Sequence, residues 1–313
     1  MPTPLRVHIE NDPDYAALAV SPAQLAERLA GRDVTIVAEP PYEVLLAGRV
    51  MDLTALKADN PALRWVQIQF AGAERWVPGL PEGVTLTNAS GVHAEKAAQY
   101  ILTACLMLNF GIPGFVEDRR AQRWRPDYGP PIAGRTVTLL GVGGIGGAAA
   151  HALRPFGVRL IGVTRSGQCA APVDRCVAME GLDAVLPETD ILVISLPLTP
   201  LTRGCIDQRR LELLPAGAGV VNVGRGGLMD HAALRGLLES GHLGGAVLDV
   251  LPVEPPPAGD PLWSCPKLIL TPHCGVDDHA RYAALCLDIF CDNLTRMLEG
   301  RPLINVVDPK LGY

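Results

Sequence analysis

The chain has 313 residues, 48% of them hydrophobic and 19% charged, with a formal net charge of −6. That length predicts two domains, each with a core of its own, and the acidic balance speaks against a nucleic-acid partner or an anionic membrane surface. No run reaches the roughly 18 uninterrupted apolar residues of a membrane span, because Thr103, Asn109 and Pro113 break the most apolar stretch, Tyr100 to Phe115.

The opening MPTPLRVHIE lacks the basic-then-apolar order of a secretory signal, which points to a cytoplasmic protein. Leu5 to Ile9 reads as a strand. Ser21-Pro22-Ala23-Gln24 starts a helix with a capping box and a first-turn proline, and Gly31 ends it. Strands are predicted at Val34 to Val37, Val44 to Ala47, Trp65 to Ile68 and Thr85 to Thr87, with a short helix from Asp52 to Lys57. Trp65 and Trp76 are expected in the first core. The small-residue loop Phe70-Ala71-Gly72-Ala73 and the loop Asn88 to Gly91 follow strand ends. His93 to about Phe110 reads as a long helix with Ala97, Ile101, Ala104, Cys105 and Leu108 on one face. His93 could line a ligand crevice or serve as a polar cap. Glu117 to Pro131 reads as a polar segment in which Arg119 and Arg120 are solvated, and Trp124 either packs at a surface or interface or reaches a substrate pocket, that of a second subunit included. Further strands are predicted at 136–141, 159–163, 191–196, 220–223, 245–249 and 268–270. Helices start near Gly144, Gly181, Asp207 and Asp230, and a last helix runs from about Val276 to Glu299. The eight cysteines form no C-x-x-C pair and are expected to be reduced core residues, with no metal site. Strands alternating with helices imply parallel sheets joined by right-handed crossovers.

The stretch TVTLLGVGGIGG, residues 136–147, sets the chemistry. A buried strand leads into Gly141, Gly143 and Gly146 in a G-x-G-x-x-G pattern, and an Ala-rich helix follows. In that context the glycines read as a dinucleotide fingerprint, with the pyrophosphate at the helix N-terminus. A plain strand–turn–helix without ligand is the bland alternative. The next strand ends in Thr164-Arg165-Ser166 with no acid for a ribose 2′-hydroxyl. An arginine and two hydroxyls suit a 2′-phosphate, hence NADP in preference to NAD. Three polar residues follow strand ends, where doubly wound sheets bind ligands: Arg225, Glu254 and His273.

This trio, with the stretches GVGGIG, LPLTPLTRG, NVGRG, LDVLPVEP and TPH, resembles the D-isomer-specific 2-hydroxyacid dehydrogenase family over nearly the whole chain. Thr164-Arg165-Ser166 and the terminal NVVDPKLGY look like its glyoxylate/hydroxypyruvate reductase branch. The resemblance implies an α/β fold of two Rossmann-like domains. A doubly wound dinucleotide-binding domain, residues 98–276, is inserted in a smaller flavodoxin-like substrate domain, residues 1–97 and 277–313. It implies NADPH-dependent reduction of a small 2-keto acid by a homodimer, with NAD possible. His273 would donate the proton, Glu254 would orient its imidazole, and Arg225 would anchor the substrate carboxylate and polarise the carbonyl. Backbone N–H groups of Ala71, Gly72 and Ala73 would hold the other carboxylate oxygen. Cofactor contacts would come from Gly141, Val142, Gly143, Gly144, Ile145, Gly146, Thr164, Arg165, Ser166, Leu196, Pro197, Thr202, Val223, Gly224, Asp249 and Gly275, with Asp249 accepting from the nicotinamide amide. Two departures stand out. Cys274 and Gly275-Val276 replace more usual residues after the histidine, and Gly144 lacks the long side chain that covers the pyrophosphate in many members. Two other readings share the scaffold: a dinucleotide-sensing, corepressor-like binding protein, and a family dehydrogenase for another 2-hydroxy acid.

Overall fold

The computed structural model describes residues 3–313, with backbone alone for residues 16–18, and separates into two compact units. One runs to Val92 and resumes at Asp278–Tyr313; the other is His93–Asp277. The division falls at 92/93 and 277/278, where the sequence reading put domain boundaries at 97/98 and 276/277.

The first unit holds β1 (Leu5–Glu10), α1 (Pro22–Arg28), β2 (Val34–Ile36), β3 (Val44–Ala47), α2 (Leu53–Asp59), β4 (Trp65–Ile68) and β5 (Thr85–Thr87). Its sheet is parallel throughout in the order β2-β1-β3-β4-β5, the flavodoxin-like winding. Ser21 caps α1 through the reciprocal box read from the sequence, and Asp52 caps α2. The C-terminal helix Tyr282–Leu298 belongs to this unit because its apolar face supplies core. Phe290 stacks on Trp65 with ring centroids 5.2 Å apart, and both are fully buried. That helix was expected from Val276. It begins at Tyr282 because Val276 is buried in the core of the second unit, so the chain leaves there before it can coil. The tail then returns to the sheet: Val307 N–H donates to Leu86 O at 2.9 Å.

The second unit begins with α3 (Ala94–Asn109) and α4 (Ile112–Arg120). It continues with β6 (Thr136–Leu140), α5 (Gly144–Leu153), β7 (Arg159–Thr164), β8 (Arg175–Ala178), α6 (Leu182–Val185) and β9 (Ile191–Ile194). Then come α7 (Gln208–Glu212), β10 (Gly219–Asn222), α8 (His231–Glu239), β11 (Gly245–Leu248) and β12 (Leu268–Leu270). All seven strands are parallel, in the order β12-β11-β10-β9-β6-β7-β8, so the winding reverses between β6 and β9. Strand residues alternate between two cores. Leu140, Ile161, Val163, Leu192, Ile194 and Val220 face α6, α7 and α8, while Val137, Leu139, Leu160, Val193 and Val221 face α3 and α5.

Two elements escaped the sequence reading. β8 is a partly exposed edge strand, so it carries no apolar run to announce it. α4 was not predicted, and its second half falls in the segment read as merely polar; it forms with Pro113 in its first turn, where a missing N–H costs nothing. The cysteines also differ from expectation. Five are buried, but Cys169 and Cys176 are half-buried and Cys274 is exposed; all are free thiols.

The loops at the strand C-termini pack through bare backbone. A Cβ at Gly226 would lie 2.0 Å from the Leu251 carbonyl carbon and 2.2 Å from Pro252 N. The segment after β10 therefore rests on the segment after β11, and no side chain fits between them. Gly226→Ala should lower unfolding stability by about 3 kcal/mol, the upper range for overpacking. Urea unfolding checks this; a loss well under ~1 kcal/mol would show that the two segments do not need this approach.

Candidate active site

Six strand ends define the site, those of β6, β7, β9, β10, β11 and β12. After β6, Gly141 takes φ +97° and Gly143 caps α5 with no side-chain partner. A Cβ at Gly146 would sit 2.0 Å from Gly141 O, so helix and strand approach this closely only with glycine there. At Gly143, by contrast, a Cβ would meet nothing within 4 Å, which leaves the helix N-terminus open to an approaching anion. These residues fit a dinucleotide pyrophosphate. Gly144 offers no side chain over it, and Val142 and Ile145 pack against the core.

After β7, Thr164 Oγ1 donates to Gln168 O at 3.2 Å, and Gln168 N–H reaches Ser166 Oγ at 3.4 Å. The turn closes on Gly167 at φ +73°. Arg165 and Ser166 are exposed on it, and no carboxylate lies within it. After β9, Thr202 Oγ1 donates to Pro197 O at 2.7 Å and accepts from Thr199 N–H at 2.8 Å. The hydroxyl expected at the cofactor thus braces the Leu196–Thr202 loop.

After β10, Asn222 folds the chain over. Its Oδ1 accepts from Gly224 N–H at 3.0 Å and its amide donates to Arg225 O at 3.1 Å. Arg225 Nη1 donates to Gly224 O at 2.8 Å. A guanidinium carries five N–H donors, and this bond uses one of them. Val223 is buried, with its N–H given to Ile194 O, which leaves its carbonyl as the group it could offer a ligand.

The loops after β11 and β12 carry the remaining pair. His273 Nδ1 lies 2.6 Å from Glu254 Oε2, and the other carboxylate oxygen accepts from Leu251 N–H at 2.7 Å. A carboxylate only accepts, so Nδ1 is the protonated nitrogen and Nε2 is left for chemistry. Both side chains are partly exposed, at 41% and 34%. Asp249, at the end of β11, is 1% exposed. Its Oδ1 accepts from Thr271 Oγ1 at 2.5 Å, Cys274 N–H at 3.1 Å and Gly275 N–H at 2.9 Å. The carboxylate expected to meet the nicotinamide amide is therefore engaged mainly with the histidine loop, and its second oxygen takes one further, longer contact from Gly275 N–H. The glycine at 275 has a local cause: a Cβ there would come within 2.5 Å of the Tyr100 ring. Tyr100 and Thr271 thus belong to the site. No sequence pattern marks Tyr100, which reads as one more residue on an apolar helix.

Other expected residues are placed locally. Ala73 is buried in the first unit's core and Ala71 O accepts from the Asn88 amide at 2.7 Å, while no described residue accepts from the N–H groups of Ala71, Gly72 and Ala73. His93 heads α3 without capping it, its Nδ1 3.1 Å from Asp277 Oδ1. Lys96 donates to the Asp277 carbonyl, so the first and last residues of the second unit are tied together.

Comparison with known proteins agrees with this geometry. Residues 102–275 match the model of the D-isomer-specific 2-hydroxyacid dehydrogenase NAD-binding domain. Glyoxylate/hydroxypyruvate reductase A of Salmonella newport is 35% identical over 281 residues, 90% of this chain and 88% of that protein. Among solved structures, a D-isomer-specific 2-hydroxyacid dehydrogenase from Xanthobacter autotrophicus, in complex with NADPH and MES, superposes with a TM-score of 0.84. It is 32% identical over 99% of this chain and 100% of that one. An NADPH-dependent glyoxylate/hydroxypyruvate reductase from Sinorhizobium meliloti, in complex with NADP and sulfate, gives 0.79 at 29% identity over 99% and 100% of the two chains. With its doubly wound NAD-binding domain and these relatives, the chain belongs to the D-isomer-specific 2-hydroxyacid dehydrogenase family.

Proposed function

We propose that this oxidoreductase reduces a small 2-keto acid of the glyoxylate or hydroxypyruvate kind to the D-2-hydroxy acid, with NADPH preferred over NADH. The observation that carries the reading is the 2.6 Å contact between His273 Nδ1 and Glu254 Oε2 at the C-terminal edge of the sheet. Bound NADPH supplies a hydride to the carbonyl carbon. Negative charge then builds on the carbonyl oxygen, and His273 Nε2–H delivers the proton that neutralises it. Glu254 keeps Nδ1 protonated throughout, so the ring enters and leaves the step in one orientation. Arg225 binds the substrate carboxylate and draws charge toward the carbonyl oxygen. Two relatives in complex with NADPH or NADP, and the acid-free turn bearing Arg165, support the cofactor preference.

Residues 121–131 are exposed throughout, with Trp124 at 97% and Tyr128 at 91%, and we assign this segment to the interface of a homodimer. A cytoplasmic setting agrees with the free thiols.

Two outcomes test the reading. Absorbance at 340 nm should fall when the protein meets NADPH with glyoxylate or hydroxypyruvate, and His273→Ala should slow this by at least about a hundredfold with little change in NADPH affinity. NADPH binding without turnover of any 2-keto acid would instead favour a dinucleotide-sensing binding protein. Arg165→Ala should weaken NADPH by about tenfold and spare NADH, measured by fluorescence titration, since a charge-assisted contact to the 2′-phosphate is lost. Equal weakening of both cofactors would remove Arg165 from that role.

A further inference from the structure

We propose that Tyr100, on α3, is a positioning residue for the proton donor: its hydroxyl fixes, through Thr271 and Asp249, the backbone that presents His273. The inference rests on the reading of His273 as that donor.

The chain of contacts has one consistent set of proton directions. Asp249 is buried and accepts only, so Thr271 Oγ1 must donate to it across their 2.5 Å contact. The Thr271 oxygen is then left as an acceptor, and Tyr100 Oη lies 2.6 Å from it. Tyr100 therefore donates to Thr271 and Thr271 to Asp249. Burial, with Asp249 and Cys274 adding to it against the smaller opposing effect of the Thr271 bond, pushes the Tyr100 phenol up to about 12, so it keeps its proton as the end donor.

What this chain holds is a strained turn. His273 adopts φ +49°, an uncommon conformation for a residue with a side chain. It persists because its surroundings over-determine it. His273 N–H donates to Asp249 O and Thr271 O, both at 3.0 Å, and the next two N–H groups converge on the Asp249 carboxylate. The turn wraps one buried carboxylate, and that carboxylate is aimed by Thr271. Tyr100 reaches the same turn a second time through its ring, which fills the place of a side chain at Gly275. Its own helix is firmly seated, with Ala97, Ile101, Ala104 and Cys105 buried against Ala149, Ala150 and Leu153 of the second core. The proton donor is thus referenced to a rigid helix rather than to its own loop.

The hydroxyl relay separates this role from mere packing. Tyr100→Phe keeps the ring and removes only the donor. It should lower kcat by about tenfold, the scale of one lost hydrogen bond in the aligned state, with KM for the keto acid and for NADPH within about twofold of the parent. Thr271→Val should reproduce that loss, Thr271→Ser should keep most of the turnover, and the Tyr100→Phe/Thr271→Val double variant should be no slower than either single one. In parallel, nuclear magnetic resonance of Tyr100→Phe and Thr271→Val should show faster amide exchange at Cys274 and Gly275 and a shifted His273 ring signal, with Thr271→Ser close to the parent. That readout needs no turnover, so it stands even if no 2-keto acid is reduced and the catalytic reading fails. Full kcat in Tyr100→Phe, additive losses in the double variant, or unchanged amide exchange and ring signals in Tyr100→Phe and Thr271→Val would each overturn the proposal.

Discussion

The proposed chemistry rests on a single hydrogen bond, His273 Nδ1 to Glu254 Oε2, 2.6 Å long. Because a carboxylate has no proton to give, the bond settles the tautomer as well as the direction of the ring. Bonds with Leu251, Asp249 and Thr271 hold its two partners in place. They come from loops after adjacent strands, since β11 pairs with β12 in parallel from Ala246 to Leu248. Glu254 is pinned by Leu251 N–H, and His273 by the Asp249 and Thr271 carbonyls, while the Asp249 carboxylate holds the next two N–H groups. The buried Asp249 charge is tolerable only because it is so fully hydrogen-bonded, and the loop that satisfies it is the loop that carries the imidazole.

Parallel sheets explain why these groups share an edge. Every strand of the second unit ends at the same side, so loops after β6, β7, β9, β10, β11 and β12 gather there without special arrangement. Loop packing then needs small residues where backbones meet. Gly226 against Leu251 and Pro252 serves this purpose beside Arg225, just as Gly146 against Gly141 lets the helix approach the strand at the fingerprint. Gly146 announces itself in the fingerprint, whereas Gly226 looks like a stray glycine in the sequence. In the fold Gly226 sets how closely the loop carrying Arg225 approaches the one that leads to Glu254.

Much of this was legible beforehand, for identifiable reasons. Buried parallel strands write continuous apolar runs, and Ser21, Asp52, Asp207 and Asp230 announce helix starts by their capping chemistry; all four cap as expected. His273 and Glu254 were read from the sequence as residues after strand ends; that they touch depends on β11 and β12 lying side by side. What stayed hidden depends on contacts distant in sequence. β8 has no apolar run, because an edge strand buries little. Tyr100 lies 171 residues from Thr271, and nothing local distinguishes it from its helical neighbours. Thr202, Val223 and Asp249 were read as cofactor contacts, yet much of their bonding capacity goes to bracing their own loops. A one-dimensional pattern shows that a polar residue is present, and only the fold shows what it is already bonded to.

The account therefore depends on which ring nitrogen of His273 is held and which is presented. Long-range nitrogen–proton correlation spectra of the 15N-labelled protein, recorded where the ring is neutral, read this directly. The account predicts the Nδ1–H tautomer for His273, with Nε2 as the nitrogen that gains and loses the proton, and loss of that preference in Glu254→Ala, which removes the acceptor. A His273 ring found mainly as the Nε2–H tautomer, or unaffected by the Glu254 substitution, would contradict it.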